Sequence, residues 1–386
     1  MIVLDAPFAS PALVDWACAS QHPVLNSPFT RELAKDAPAL NLVGEDEAAA
    51  RIANGERVYT NSENALAWVC EHGGNAEFNR IVRLCKDKGA MREALASINP
   101  DVFYVVYTQD ELAAVDPASL PLPVVLKPAV GFCSMGVYVI STPADWATAL
   151  DDIRHEQDTW ATRYPESVVD ARSFVIESYI EGDEYAIDVY FDEKGAPVIL
   201  NILRHDFASP EDTSDRLYVT SAGIIANVEP RLAAWLGKAN EALGARDFAA
   251  HVEIRMDDDG NIAPIEFNPA RFAGLGGTDV ALYAWGLRTY EAFLTGAPVN
   301  LHALVSGHEE DTYTMSLLGP APDANLAAPF DYDALTSRFT DVLGLTPFDV
   351  NAVGSYGFLF LHNTPDTMDE LDWLLHSGLR EFERET

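Results

Sequence analysis

The chain has 386 residues, 48% of them hydrophobic and 10% aromatic, enough for two or three packed domains or one domain with an elaboration. Its 25 Lys and Arg stand against 60 Asp and Glu, a formal net charge of −35, and such a surface repels nucleic acid and anionic membranes, so neither is an expected partner. No stretch reaches the roughly 18 uninterrupted apolar residues of a membrane span, and MIVLDAPFASPALVDW carries Asp5 in its apolar run and no basic n-region. No secretory leader is therefore predicted, and a cytoplasmic address is expected. Lysines are few beside the arginines, and the acidic balance fits either a salt-adapted host or simply a soluble acidic enzyme.

Residues 1–100 alternate short apolar runs with helical patterns. IVLDAPF predicts a strand, LVDWACAS opens a helix, and ENALAWVCEHGG is an amphipathic helix stopped by glycine. This predicts a small α/β unit, and because no GxGxxG follows its first strand, a dinucleotide site is not supported. From 101 the texture turns β-rich: VFYVVYT, PVVLKPA, GVYVIS and SFVIESYI read as strands, with a helix near ADWATALDDIRHE. EYAIDVYFDEKGAPVILNILRHD predicts a hairpin turning at Asp192-Glu193-Lys194-Gly195, and helices are predicted over PRLAAWLGKANEALGA and DVALYAWGLRTYEAFL. Residues 301–386 read as a tail module with strands TYTMSLLG and YGFLFLHN and a last helix over DTMDELDWLLHSGLREFE. The expected units are 1–100, 101–172, 173–300 and 301–386. Cys18, Cys70, Cys85 and Cys133 show no CxxC or zinc spacing and are expected as reduced thiols.

Three constellations carry chemistry. In VVLKPAVGFCSMGVYVI (124–140) a strand delivers Lys127, and Gly131, Ser134 and Gly136 let backbone N–H groups approach an anion. That makes either a phosphate cradle or an ordinary glycine-rich hairpin; no Walker loop is present. In FVIESYIEGDEYAIDVYF (174–191) Glu177 closes one strand and Glu184 opens the next, with Glu184, Ala186 and Asp188 on one face. These acids either accept from a nucleotide's amino or hydroxyl groups or are solvated turn residues. In HVEIRMDDDGNIAPIEFNPAR a hairpin pairs Asp257 with Ile262, Arg255 with Pro264, Glu253 with Glu266 and His251 with Asn268. A one-residue slip would mix polar and apolar faces, so the pattern selects this register. Like charges opposite one another destabilise a strand pair, and a hard cation such as magnesium would relieve Glu253 and Glu266, with Asn268 two residues on. Arg255 and Arg271 flank the acids and suit phosphate or carboxylate. His205-Asp206 and Asp215-Arg216 either reach a transferred phosphate or pair with nearby acids.

In this order, KDKGAMREAL, VVLKPAVGFCSMGV, VIESYIEGDEYAIDVYF and HVEIRMDDDGNIAPIEFNPAR resemble the ATP-grasp superfamily, over roughly residues 80–290. The resemblance implies an α/β chain of two α+β lobes clamping ATP, behind an N-terminal α/β domain and before a small C-terminal α/β module. It implies that Arg92 and Lys127 meet the phosphates and that Gly131, Phe132, Ser134, Met135 and Gly136 form a flap over them. Glu177, Tyr179 and Ile180 would read adenine, and Glu184 would bind ribose. Glu253, Glu266 and Asn268 match the ligands of magnesium, for which manganese can substitute. Arg271 follows as NPAR where some members have NPR; His251 stands where some ligases carry a catalytic arginine. With Arg255 and Arg216, these two are the expected catalytic groups. The implied reaction activates a carboxylate as an acylphosphate and joins it to an amine, with ADP and phosphate released. The alternatives are another phosphoryl transfer, kinase or carboxylase-like, or a non-catalytic ATP-binding protein. The expected partners are a small carboxylic acid and an amine; the acidic tail either caps the cleft or forms a homodimer contact.

Overall fold

Three sheets, taken in chain order, build the molecule, and the computed structural model describes residues 1–131, 136–163, 170–209, 212 and 214–384. The first is parallel, with β1 (Ile2–Val3), β2 (Pro23–Leu25), β3 (Asn41–Val43) and β4 (Tyr59–Thr60) in the order β3-β2-β1-β4. Its helices start where the side chains of Ser10, Ser27 and Ser62 accept a backbone N–H of the first turn. Only the first of these strands was predicted, because runs of two or three residues show no period.

The second sheet is antiparallel: β5 (Tyr104–Thr108), β6 (Val124–Val130), β7 (Tyr138–Ile140) and β8 (Asp170–Ser178) in the order β5-β8-β6-β7. The expected boundary at 172/173 falls inside β8, which pairs with β5 as far as Glu177. The helix Pro143–Arg163 packs against this sheet.

The third sheet is the largest, and every strand in it runs antiparallel to its neighbours. It holds β9 (Asp183–Phe191), β10 (Pro197–Asp206), β11 (Leu217–Ser221), β12 (Phe248–Met256), β13 (Ile262–Pro269), β14 (Thr312–Leu317), β15 (Val342–Pro347) and β16 (Gly357–Asn363). Their order is β13-β12-β9-β10-β11-β14-β16-β15. The strands after residue 301 thus extend the sheet that begins at β9. The helix Ala222–Leu243 buries Ile225, Leu232, Trp235 and Leu236 in the core that this sheet shares. It starts well before the predicted PRLAAWLGKANEALGA, because the Ser221 side chain caps it and Pro230 is accommodated inside. The predicted DVALYAWGLRTYEAFL helix breaks into Val280–Trp285 and Thr289–Thr295 at Gly286, which takes a left-handed φ of 65°. Among the described residues, no helix is long and apolar enough to cross a membrane.

Two features of register position the site. His251 faces Asn268 and Glu253 faces Glu266, as the alternation requires, but beyond them the register shifts and Arg255 lies opposite Ala263, not Pro264. The shift is a β-bulge whose extra residue is Ile265, which is thereby brought to the cleft wall beside Glu266. Across the sheet, Arg255 pairs with Glu184, Glu184 with His205, His205 with Tyr218, Tyr218 with Met315 and Met315 with Phe360. One transverse row therefore passes from charged to aromatic to apolar.

Candidate functional site

A cleft of about 710 Å³ opens between the second and third sheets. Lys127, Glu177, Tyr179 and Ile180 line it from one side and Glu184, His205, His251, Glu253, Arg255, Glu266 and Asn268 from the other. Turns of the N-terminal unit, Ala6-Pro7 and Asn61–Asn64, close one rim. Asn61 locks these two turns together: its amide nitrogen donates to the carbonyls of Asp5 and Phe8, and its Oδ1 accepts from the Asp5 N–H.

Glu177 is a buried carboxylate gripped by two cations. Lys127 Nζ lies 2.6 Å from its Oε1 and Arg92 Nε 2.7 Å from its Oε2. Burial raises this carboxyl, yet Lys127 and Arg92 outweigh it and bring it down to about 2. Burial also lowers Lys127, against the pull of Glu177. Two expectations change here. Glu177 is engaged by cations instead of being free to read adenine, and Arg92 does not line the cleft wall. The terminal nitrogens of Arg92 are buried and have no partner among the described residues. The cleft-facing cation of that helix is Lys88, whose Nζ donates to the Gly131 carbonyl at 3.1 Å and sits 3.3 Å from Glu266 Oε2. Lys88 was not singled out from the sequence, although it lies one helical turn before Arg92 in the same motif, and residues four apart share a helix face.

Of the expected flap, Gly131 lines the cleft, Gly136 adopts a left-handed φ of 67°, and Phe132, Ser134 and Met135 lie outside the described residues, as does Cys133. At the hinge, Tyr179 and Ile180 follow β8, and the Tyr179 N–H donates to the Pro123 carbonyl at 3.2 Å. Arg255 donates to the Ile180 carbonyl at 2.9 Å, to the Tyr179 hydroxyl at 3.2 Å and to Glu184 Oε2 at 3.1 Å. Its guanidinium also lies over the Tyr179 and Phe207 rings. The expectation that Arg255 acts on the reacting group is thus replaced by a place at the hinge, because cross-strand pairing sets it beside Glu184. The other oxygen of Glu184 lies 3.0 Å from His205 Nδ1. Burial raises Glu184, and His205 and Arg255 together carry it below the usual carboxylate range.

Glu253, Glu266 and Asn268 converge as expected. The Asn268 amide nitrogen donates to Glu266 Oε1 at 2.8 Å and reaches Glu253 Oε1 at 3.4 Å, while its Oδ1 accepts from Arg271 at 2.8 Å. Burial first, then Glu266, Asp215 and Glu184, push Glu253 well above the ordinary range. For Glu266 burial is overcome, chiefly by Lys88 and the Asn268 amide, and its carboxyl is held low. The two carboxyls are thus pushed apart, Glu253 upward by burial and its acidic neighbours and Glu266 downward by Lys88 and Asn268. Among the described residues, no cluster of three or more His, Cys, Asp or Glu side chains is placed to hold a metal.

His251 presents Nδ1 to the buried Asp188 carboxylate at 2.7 Å, and its Nε2 lies 3.7 Å from Glu253 Oε1. Asp188 also accepts from the Ala273 N–H and the Thr278 hydroxyl. Arg216 is the clear departure. Its guanidinium donates to the Ser377 carbonyl and does not line the cleft, while its neighbour Asp215 does, because successive residues of an extended segment point to opposite sides. Asp215 accepts from the Tyr218 hydroxyl at 2.8 Å, and burial raises its carboxyl. No spacing in the sequence separates this acid from the many around it.

A model of the ATP-grasp domain matches residues 120–279. The chain is 25% identical over 254 residues to the alanine–anticapsin ligase of Bacillus subtilis, covering 61% of this chain and 52% of that protein. It therefore spans about half the length of the curated relative it matches. The L-amino acid ligase of Bacillus licheniformis superposes with a TM-score of 0.70 at 16% identity, over 96% of this chain and 95% of that one. An N5-carboxyaminoimidazole ribonucleotide synthetase in complex with ADP gives 0.66 at 15% identity over 100% and 97%. Biotin carboxylase from Campylobacter jejuni gives 0.62 at 15% identity over 94% and 87%. At these identities the structural likenesses speak for the fold, which is the one these ATP-grasp proteins share, and residues 120–279 match the ATP-grasp domain.

Proposed function

We propose that the chain is an ATP- and magnesium-dependent ligase that activates a carboxylic acid as an acylphosphate and joins it to an amine, releasing ADP and phosphate. The observation that carries this reading is the half-buried pair Glu253 and Glu266, bridged by Asn268 and faced by Lys88. The names of the two ligases above support amino acids as the substrate class. In this reading the nucleotide lies between the second and third sheets, with its base at Tyr179 and Ile180 and its ribose at Glu184. Arg255 positions the hinge through its three hydrogen bonds there. Lys88 and Lys127 face the phosphates, and Glu177 orients Lys127 by fixing its ammonium.

The residues fit a divalent cation: burial, and then the neighbouring acids, raise Glu253, and an amide bridges the two carboxyls. Glu253, Glu266 and Asn268 would hold it, with phosphate oxygens and water completing the shell. When bound, the ion neutralises charge on the phosphates. Arg271, fixed by Asn268 and by the Phe272 carbonyl, is placed to hold the acid's carboxylate against the phosphoryl group. Catalysis is then positioning and charge stabilisation.

The test is a phosphate-release screen of amino acids and amines with Mg·ATP, followed by mass analysis of the products. An amide and ADP are expected, and Glu266→Gln should lower ADP formation by about 100-fold or more. A stable phosphate ester or a carboxylated product would assign the protein to one of the alternative chemistries.

A further inference from the structure

We propose that the end of the cleft beyond Tyr218 is the side-chain pocket of the acid substrate, and that it selects α-amino acids with apolar side chains. This rests on the ligase reading and adds to it the class of acid. The wall is built by Met315 and Leu317 of β14, Phe358 of β16, Ala352 and Val353 of the helix Val350–Val353, and Leu275. Register places these groups together: Tyr218 pairs with Met315, and Leu317 pairs with Phe358. Met315 and Phe358 are buried, while Ala352 is exposed at the mouth.

The pocket joins the reacting end through a chain of contacts. Arg271 holds Asn268, and a Cβ on Gly274 would meet the Arg271 guanidinium at 3.5 Å. The same turn continues to Gly277, where a Cβ would lie 2.6 Å from Met315 Sδ. Arg271 and Met315 thus flank one turn and line the same cleft. Asp215 lines the cleft as well and accepts from the hydroxyl of Tyr218, the residue that pairs with Met315. An amino acid carries a carboxylate, an ammonium and a side chain on one carbon, and the same cleft is lined by a cation, Arg271, an acid, Asp215, and an apolar wall. A charged side chain would lose its water against this wall with no partner. Behind the wall, Phe348 packs on both Phe8 and Phe358, with ring centroids 4.9 and 5.5 Å apart, and this fixes its shape.

The experiment compares kcat/KM for leucine, methionine and phenylalanine with aspartate, glutamate and lysine, and for leucine with 4-methylpentanoate, which lacks the ammonium. A preference of about tenfold or more for the apolar amino acids is expected. Asp215→Asn should reduce kcat/KM for leucine and not for 4-methylpentanoate. Ala352→Trp, at an exposed position, should cost phenylalanine about tenfold and alanine far less. Thermal shift with each amino acid plus Mg·ADP reads the pocket without turnover. Stabilisation by leucine and phenylalanine that Ala352→Trp removes supports the pocket even if no amide forms, in which case the ligase reading alone fails. Charged amino acids used or bound as well as leucine, or an equal loss for every acid in Ala352→Trp, overturn the pocket and leave the ligase reading standing.

Discussion

At the scale of single residues, the site is held by close pairs of opposite charge. Glu177 sits between Lys127 and Arg92 with its side chain 3% exposed. Glu177→Gln would strand two buried cations side by side, and the loss is expected at about 3–5 kcal/mol in urea titrations. Its pH dependence follows from the sign of the shift. The folded carboxyl is depressed from 4.5 to about 2, so its contribution is present above 4.5 and fades as pH falls toward 2. Acid unfolding of the parent should therefore show a steep loss in that window, and the same curve for Glu177→Gln should be flatter there. Equal slopes for the two proteins would remove Glu177 as the source. Lys88 shows why this network was only half legible. The motif containing it was recognised, but which of its cations faces the cleft depends on how deep the helix Lys88–Leu95 sits. Linear spacing does not encode depth.

At the scale of elements, alternation reported the hairpin of β12 and β13 well as far as Glu253 and Glu266, and then failed at the bulge. Ile265 is apolar, so a regular strand assigns it to the core face; nothing local announces that it turns toward the cleft. The transverse row from Arg255 to Phe360 was invisible for a different reason. It joins strands far apart in sequence, and β11, which links its two halves, is only five residues long. Glycine makes the turn into β9. Gly182 has a φ of +108°, and a Cβ there would lie 2.2 Å from the Met256 carbonyl oxygen, a backbone atom that cannot step aside. Gly182→Ala is expected to cost about 1–3 kcal/mol. Under the ligase reading it should also raise the KM for ATP, since Ile180 and the Arg255 contacts lie beside it. A variant with parental stability and parental KM would show that this turn has slack.

At the scale of the whole molecule, a net charge of −35 is a standing source of self-repulsion in the folded state. Screening by salt should relieve it, because the Debye length falls from about 30 Å at 0.01 M to about 3 Å at 1 M. The melting temperature should rise by several degrees over that range of NaCl, and more than it does in sucrose. A flat or falling curve would mean that the surface acids are already paired. The broad architecture was legible here: the order of motifs announced two lobes around one cleft. The continuity of the tail with the third sheet was not, since strands such as Thr312–Leu317 carry no mark of which neighbour they will choose.

That continuity has a mechanical consequence. Lys127 and Glu177 belong to one sheet, whereas Glu184, Glu253 and Met315 all belong to another. If the two sheets rock against each other, the gap between Lys127 and Glu253 changes while the span from Glu253 to Met315, crossing strands spaced about 4.8 Å apart, does not. Under the ligase reading, the third sheet would then be a fixed rule along which the substrate is measured, and the second a jaw over one end of it. Replacements at the far end can then retune which molecule is accepted while the grip on the nucleotide keeps its calibration.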